Sequence, residues 1–344
     1  MNIFAVIVTY GNRFHLLKQV IDSALAEGVA KVIVVDNNSA SESREKLKAY
    51  EKELGNQKIK VLYLDDNYGS AGGFKMGLEV AYNGSECEFM WLLDDDNKPM
   101  DNSLKILLDF WRSLEIEDKE EKIALLSYRF KKEQLIKKAI INNEPELVLG
   151  LKNSFLGFHI KELHKKILRH LKIRLKSERN MVERENVIRQ ENVIRYGVVP
   201  VAPYGGLFIH KNLLNKIGFP NEDLYLYADD HEWTYRITQT GGRIYLVLDS
   251  LIDDLELSWY VPKNAKETTF SIISKSDSER VYYNVRNRVF FEVNNLVNNK
   301  IVYWINILVY LLLITLSNTK NTKTIIKAIR DGYKGKLGRM EALK

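Results

Sequence analysis

Residues 3–12 read IFAVIVTYGN and residues 31–39 read KVIVVDNNS, so each strand-like apolar run ends directly in polar residues. Between the two runs, apolar residues recur at helical spacing, at Leu16, Leu17, Val20, Ile21 and Leu25. The alternation continues with strands predicted at 59–64 and 89–93. Strands that alternate with helices predict an α/β protein, in which a parallel sheet carries helices on both faces.

Polar or small residues follow each of these four predicted strands. They are Thr9-Tyr10, Asp36-Asn37-Asn38, the loop 67–73 and the aspartates 94–96. Ligands of such sheets bind beyond the carboxyl ends of the strands, which all lie at one edge. We therefore expect the four loops to converge on one cleft.

Three consecutive aspartates, Asp94, Asp95 and Asp96, follow the fourth apolar strand. Neighbouring carboxylates raise each other's pKa unless a cation neutralises them. Alternate residues of an extended segment project similarly, so Asp94 and Asp96 are candidate ligands of Mg²⁺ or Mn²⁺. The alternative is an acidic turn before a helix that starts near Asn102.

Small residues crowd the segment YGSAGGFKMG at 68–77, where a loop enters a predicted helix. Glycines let the backbone approach a bulky ligand, and a helix N-terminus offers free N–H groups to an anion. A plain glycine-rich turn is the alternative. Neither GxGxxG nor GxxxxGK[ST] occurs, which argues against a dinucleotide-binding protein and a Walker-type NTPase.

The acidic run 229–232 (DDHE) begins another predicted helix. A carboxylate at the mouth of a cleft can act as a general base on an acceptor hydroxyl, but aspartate is also an ordinary helix cap. Asp253 and Asp254 are similarly ambiguous. The turn at Tyr204-Gly205 is predicted either to line an acceptor pocket or simply to connect two strands.

Composition narrows the class of protein. With 344 residues, 45% hydrophobic and 28% charged, the chain is long and apolar enough for a folded core. The single cysteine, Cys87, forms no internal disulfide and no thiolate metal site, which favours a reducing cytosol. The six histidines show no paired metal spacing, and the GxSxG motif of serine hydrolases is missing. A net charge of +6 leaves nucleic acid, an anionic membrane or a phosphate-bearing ligand open.

Four regions are predicted along the chain: a first half of the sheet domain at 1–110, a charged, partly helical insertion at 111–195, a second half at 196–262 and a helical, basic region at 263–344. The insertion contains a basic amphipathic helix at 160–176. The apolar stretch 301–316 is shorter than the roughly 20 residues of a membrane-spanning helix, so it is either a core helix or an interfacial one.

Six motifs occur in one order: VIVTYGN, VVDNNS, DNYGSAGGFKMG, WLLDDDNKP, ADDHEWTYR and YYNVRNR. Together they resemble the family 2 inverting glycosyltransferases, over about residues 1–110 and 196–291. The likeness is greatest to the bacterial galactofuranosyl- and rhamnosyltransferases that build cell-surface polysaccharides. It implies a GT-A fold, with a Rossmann-like, mostly parallel sheet flanked by helices and a helical C-terminal appendage.

The resemblance also implies roles for the matching residues. Nucleotide-sugar binding is expected of Thr9, Tyr10, Asp36, Asn38, Asn67, Gly72, Gly73 and Asp95. Asp94 and Asp96 match the metal-binding DxD motif, and Asp229 matches the catalytic base. Acceptor contacts are expected of Asp230, Trp233, Tyr204 and Gly205.

The metal site departs from the resemblance at one position. Galactofuranosyltransferases usually supply a histidine as the third protein ligand, whereas the matching stretch 251–254 has none. Asp254 is the predicted substitute; two carboxylates alone, or a weak dependence on metal, are the alternatives. The expected cofactor is Mn²⁺ or Mg²⁺. The expected donor is UDP-galactofuranose, with dTDP-rhamnose as the alternative.

A lipid-linked or growing surface glycan is the acceptor that the resemblance implies, as in O-antigen, capsule or cell-wall synthesis. The segments 160–176 and 301–316 and the basic tail suit a cytoplasmic enzyme bound peripherally to the inner face of the plasma membrane, with a homo-oligomer left open. No nucleic-acid partner is expected, because no base-reading motif accompanies the charge. The competing hypothesis is a non-catalytic scaffold that binds a membrane surface or a glycan.

Overall fold

One mixed sheet of nine strands organises the part of the chain that the computed structural model describes. These residues are 1–132, 134–142, 144, 146–161, 194–256, 276–316 and 321–340. The predicted amphipathic helix at 160–176 lies outside the described residues from position 162 onward.

The strands run in the spatial order β3-β2-β1-β4-β8-β6-β9-β5, and β7 also pairs with β9. Their bounds are β1 (Ile3–Thr9), β2 (Lys31–Asp36), β3 (Ile59–Tyr63), β4 (Phe89–Asp94), β5 (Asn97–Pro99), β6 (Ile123–Arg129), β7 (Tyr196–Val199), β8 (Leu207–His210) and β9 (Arg243–Asp254).

Twelve α-helices connect or flank these strands within the described residues. They are α1 (Phe14–Ala26), α2 (Ser41–Leu54), α3 (Gly69–Tyr82), α4 (Ser103–Ser113), α5 (Lys119–Lys122), α6 (Gln134–Asn142), α7 (Glu146–Leu149), α8 (Leu213–Ile217), α9 (Asp229–Gln239), α10 (Ser278–Asn295), α11 (Lys300–Leu316) and α12 (Thr322–Tyr333). A 3₁₀ turn at Glu222–Leu224 precedes α9.

The first four strands confirm the predicted parallel sheet. β1 pairs in parallel with both β2 and β4, and β2 pairs in parallel with β3. All seven residues of β1 are buried, as expected of a strand that is covered on both faces. The apolar runs of the sequence therefore gave both the strands and their order of alternation with helices.

The rest of the sheet is mixed. β8 runs antiparallel to both β4 and β6, so β4 and β6 point in the same direction. β9 is parallel to β6 and antiparallel to β5 and β7. As a result, the carboxyl ends of β1, β2, β4, β6 and β9 share one edge of the sheet.

The predicted insertion at 111–195 is corrected in one respect, because it contributes β6 to the sheet. All seven residues of β6 are buried, and the strand lies between β8 and β9. The apolar run 123–129 directly follows the charged helix α5 and is short. That context concealed a central strand whose partners in the described part of the chain, β8 and β9, are more than 75 residues away in the sequence.

The C-terminal helices form a separate apolar cluster around Tyr283, Tyr303 and Ile325. α11 buries one face, which includes Tyr303, Ile307 and Ile314, and leaves the opposite face exposed. This helix is thus a packed helix with an open apolar side. Within the described residues, every helix falls short of the length and apolarity that crossing a membrane requires.

Candidate active site

The middle aspartate of the triplet is held by the protein itself. Asp95 is buried, Thr9 Oγ1 donates to its Oδ2 at 2.8 Å, and Arg13 Nε lies 2.9 Å from both of its carboxylate oxygens. Burial raises the pKa of Asp95, although Arg13 and Thr9 act in the opposite direction. Asp95 therefore joins β4 to the end of β1 and the start of α1. The Thr9 hydroxyl is engaged in this hydrogen bond.

Asp94 is the open member of the triplet, because its side chain keeps 39% of its accessible surface. Arg129 Nη1 lies 3.6 Å from its Oδ2. Partial enclosure raises the pKa of Asp94 to about 7, and the negative charges of Asp96 and Asp95 add to this rise, whereas Arg129 and Lys132 oppose it. This carboxylate is the one that a bound molecule can reach.

Lysine and arginine side chains of the protein pair with the carboxylates of Asp96 and Asp254. Lys132 Nζ lies 3.4 Å from Asp96 Oδ2 and 2.8 Å from Asp254 Oδ1. Arg129 Nε lies 3.2 Å from the same Asp254 oxygen. Asn97 Nδ2 donates to Asp96 at 3.1 Å and to Asp254 at 2.9 Å. The second oxygen of Asp254, Oδ2, is buried without a hydrogen-bond partner.

The predicted three-carboxylate metal site is not assembled here. Within the described residues, no group of three or more His, Cys, Asp or Glu side chains is arranged to hold a metal ion. Asp254 lies instead in ion pairs with Arg129 and Lys132. The exposed carboxylate of Asp94 suits a hard cation such as Mn²⁺ or Mg²⁺, which takes its remaining ligands from phosphate oxygens and water.

The predicted nucleotide-binding residues divide into open and enclosed ones. Tyr10 is 50% exposed, and Asn38 is exposed at the end of β2 with a left-handed φ of 57°. Asp36 is fully buried and accepts a hydrogen bond from Ser39 N at 2.9 Å, which shapes that loop. Tyr10 and Asn38 are thus available to a ligand, whereas Asp36 orders the loop that presents them.

The glycines of α3 serve helix packing rather than the cleft surface. A Cβ on Gly72 would lie 2.7 Å from Tyr68 Cβ, and one on Gly73 would lie 2.7 Å from Val8 Cγ1. Both glycines are buried, Gly73 against β1 and Gly72 against Tyr68 at the start of α3, so packing replaces the cleft-lining role predicted for them. Asn67 Oδ1 accepts from Gly69 N at 2.9 Å and begins the turn into the helix.

Asp229 is a buried carboxylate at the first position of α9. Ser70 Oγ donates to its Oδ2 at 2.7 Å, and the buried hydroxyl of Tyr204 faces the same carboxylate. Burial, together with the charge of Asp230, raises the pKa of Asp229 to about 8. A carboxylate with that pKa is suited to accept a proton near neutral pH.

The four predicted acceptor residues lie in different environments. Trp233 is fully buried and its Nε1 donates to Gly218 O at 2.9 Å, so its acceptor role is corrected to one in the core. Tyr204 is buried and stacks on Phe74 with 4.1 Å between ring centroids. Asp230 is half-buried beside Asp229.

Gly205 lies directly against the side chains of Asn97 and Asp94. A Cβ at this position would lie 1.9 Å from Asn97 Oδ1 and 2.9 Å from Asp94 Oδ2. Because Tyr204 faces Asp229 while Gly205 touches Asp94, one turn separates the two carboxylates. Asp94 and Asp229 therefore lie on opposite sides of this turn.

Comparison with known proteins finds a family similarity for the first third of the chain. Residues 5–117 match the model of the family described as glycosyl transferase family 2. This segment is similar to family 2 glycosyltransferases. It contains Thr9, Asp36 and the triplet 94–96 but ends before Arg129 and Asp229. No match is found among curated protein sequences.

Solved structures are similar to this chain at low sequence identity. A crystal structure of GalNAc-T7 with UDP, GalNAc and Mn²⁺ superposes with a TM-score of 0.51 at 14% identity, over 85% of this chain and 47% of that one. The chain thus spans about half the length of that protein. The mannosyltransferase PcManGT from Pyrobaculum calidifontis, in complex with GDP-Man and Mn²⁺, gives a TM-score of 0.48 at 11% identity, over 96% and 86% of the two chains. The mixed α/β sheet with its C-terminal helices is GT-A-like.

Six residues of this candidate site had no predicted role of their own. They are Arg13, Asn37, Ser70, Asn97, Arg129 and Lys132. Asn37 is buried at the end of β2, where its Oδ1 accepts from Tyr68 N at 2.7 Å and its Nδ2 donates to Gly69 O at 2.9 Å. Asn37, Ser70 and Asn97 stand within or beside the quoted motifs, which was a signal for them. No sequence pattern indicated Arg13, Arg129 and Lys132, which pair with the aspartates.

Proposed function

We propose that this protein is an inverting glycosyltransferase that moves a sugar from a nucleotide-sugar donor to an acceptor hydroxyl. The observation that carries the proposal is the turn Tyr204-Gly205, which separates a reachable carboxylate, Asp94, from a buried carboxylate of raised pKa, Asp229. The family 2 match of residues 5–117 supports a nucleotide-sugar donor at the open side of this cleft.

Asp229 acts as the general base. Its carboxylate takes the proton of the acceptor hydroxyl, and the resulting oxygen attacks the anomeric carbon of the donor sugar. The bond between that carbon and the phosphate oxygen breaks from the opposite side, so the configuration inverts and a nucleoside diphosphate leaves. Ser70, hydrogen bonded to Asp229 Oδ2 at 2.7 Å, orients the carboxylate.

The leaving diphosphate needs positive charge. A Mn²⁺ or Mg²⁺ ion bound at Asp94 and Asp96 would supply electrostatic stabilisation of that leaving group. Arg129 and Lys132, which lie against Asp94, Asp96 and Asp254, add two fixed positive charges at the same place.

UDP-galactofuranose is the donor that we propose, because the motif order resembles galactofuranosyltransferases; dTDP-rhamnose is the alternative. A thermal-shift panel of UDP-galactofuranose, UDP-galactopyranose, UDP-glucose and dTDP-rhamnose, each with and without Mn²⁺, tests this. A ligand at a hundred times its Kd stabilises the protein by about 2.7 kcal/mol. A Mn²⁺-dependent shift with UDP-galactofuranose supports the proposal. If none of the four donors produced a shift, the non-catalytic scaffold would be favoured.

We expect kcat/KM to rise with pH and to level off above a midpoint near 8, because only the ionised form of Asp229 accepts a proton and its pKa is raised to about 8. Initial rates of nucleoside-diphosphate release between pH 6 and pH 10 measure this profile. A rate that falls across this range would contradict the base assignment.

We also propose that the acceptor is a lipid-linked glycan at the anionic inner leaflet of the plasma membrane. The open face of α11 carries an apolar stripe of Ile301, Trp304, Ile305, Leu308, Leu312 and Leu316, which are 37% to 74% exposed. The exposed side of α12 adds Lys323 and Arg330. Apolar and basic groups exposed on these two helices, which contact each other through Trp304 and Tyr333, favour peripheral attachment to anionic lipid.

The double variant Leu308→Asp/Leu312→Asp is expected to lose about tenfold or more in binding to phosphatidylglycerol-containing vesicles, since each leucine loses roughly 1.5–3 kcal/mol of apolar burial. Co-sedimentation measures the binding. The matched control is Ile141→Asp/Val198→Asp, which alters two residues of similar exposure elsewhere, 45% and 54%. Equal binding by both double variants would refute the assignment of this face.

A further inference from the structure

The backbone just before Asp229 adopts an unfavourable conformation. Tyr225, Tyr227 and Ala228 have left-handed φ values of 65°, 66° and 56°. Residues with a Cβ rarely adopt this region, because the side chain crowds the backbone. Such a conformation persists only where surrounding groups enforce it. The loop at 224–228 therefore requires external support to deliver Asp229 to its place.

The amide of Asn287 on α10 supplies part of this support. Its Nδ2 lies 2.7 Å from Leu224 O, 2.8 Å from Leu226 O and 2.8 Å from Tyr227 O. Asn287 is fully buried, so these three carbonyls converge on one donor group that water does not reach. This one side chain therefore holds three backbone carbonyl groups of the loop together.

Arg286, the neighbouring residue, holds the start of the same loop. Its Nη2 donates to Leu224 O at 2.9 Å, and its Nη1 donates to Gly338 O. Gly338 N in turn donates to Asp223 O at 2.7 Å. Arg286 Nε donates to Asn287 Oδ1 at 2.8 Å, which orients the amide with its N–H groups toward the loop. The two buried side chains therefore act as one unit.

The opposite side of the loop rests on the first turn of α3. Tyr225 O accepts from Ala71 N at 3.2 Å, and a Cβ on Gly69 would lie 1.9 Å from Tyr225 O. Ser70, between these two residues, donates to Asp229. The loop is thus enclosed between α10 and the helix that orients the carboxylate.

We propose that Arg286 and Asn287 are positioning residues, which hold the loop at 224–228 in its left-handed conformation and so fix Asp229 against Ser70 and Tyr204. The role of Asp229 itself rests on the proposed function. Arg286 and Asn287 are fully buried and bond to the loop backbone, so they act through the loop rather than on a substrate.

The test compares Asn287→Ala with the matched control Asn306→Ala. Asn306 is also a fully buried asparagine of the C-terminal helices, but its amide donates to Asn153 O at 2.8 Å, away from the loop. Transfer is measured with the four donors named above and with octyl galactofuranoside and octyl rhamnoside as acceptors. Hydrogen exchange of the amides at 224–228 and the Kd of the donor are measured in parallel.

For Asn287→Ala we expect a loss of at least tenfold in kcat, an unchanged donor Kd and faster exchange at 224–228. We also expect the pH midpoint of kcat/KM to fall below that of the wild type. The groups that face Asp229 are Asp230 on α9, Tyr204 on the turn before β8 and Ser70 on α3. None of them changes in this variant, so a lower midpoint reports that water has reached Asp229.

For Asn306→Ala we expect a lower melting temperature with unchanged kcat, pH midpoint and loop exchange. If Asn287→Ala matches this control in all three, the inference is overturned. If Asn287→Ala does not fold, Arg286→Lys keeps the charge but loses the paired donors, and it is judged by the same criteria. If the wild type transfers no sugar from any donor, the proposed function fails, and loop exchange alone then decides whether Arg286 and Asn287 hold the loop.

Discussion

Replacing Asp229 by Asn is expected to lower kcat by about 10²–10⁴-fold, the contribution of a positioned general base. The amide keeps the shape of the carboxylate but accepts no proton. Donor binding should be retained, because the open residues Tyr10, Asn38 and Asp94 lie on other strand ends. Steady-state kinetics and donor titration of the folded variant measure the two quantities separately.

Two further measurements sharpen this prediction. Asp230→Asn, which alters the half-buried neighbour, should retain most of kcat if Asp229 is the base.

The substitution Asp229→Asn should also change the stability of the fold. The folded-state pKa of Asp229, about 8, exceeds its ordinary value of 3.8, so the fold loses stability as pH rises through this interval. Asp229→Asn should therefore melt at a higher temperature than the wild type at pH 9, with a smaller difference at pH 5. Wild-type kcat in Asp229→Asn would refute the base.

Asp94→Asn is expected to lower kcat/KM by about 10²–10³-fold, comparable to the loss of one electrostatic contact to a developing charge. It should also remove any Mn²⁺ dependence of the thermal shift produced by the donor. The reason is geometric, because Asp94 is the exposed carboxylate of the triplet, whereas Asp95 is enclosed by Thr9 and Arg13.

Asp95→Asn is the matched control for Asp94. It breaks a buried, charge-assisted contact with Arg13, so the expected effect is a lower melting temperature, on the order of 1–3 kcal/mol of stability. If Asp95→Asn abolished the Mn²⁺ dependence and Asp94→Asn did not, the assignment of the open carboxylate would be wrong. Manganese binding followed by electron paramagnetic resonance gives an activity-independent reading.

Much of the sheet edge that carries the polar loops was predictable from the sequence. Buried parallel strands appear as continuous apolar runs, and each run here ends in the residues that line the sheet edge, at Thr9, Asp36 and Asp94. The prediction was less successful for Gly72, Gly73 and Trp233. A small or aromatic residue near a motif is equally compatible with packing and with binding, and the choice depends on what lies opposite it.

What the sequence by itself determined is the alternation of strands and helices and the edge at which the polar loops meet. These follow from local periodicity and from the geometry of parallel sheets. The tertiary structure alone decided which charges face each other. Asp229 meets Ser70 across 159 positions and Asn97 meets Asp254 across 157. Burial and pKa depend on such distant partners, and no local sequence pattern encodes them.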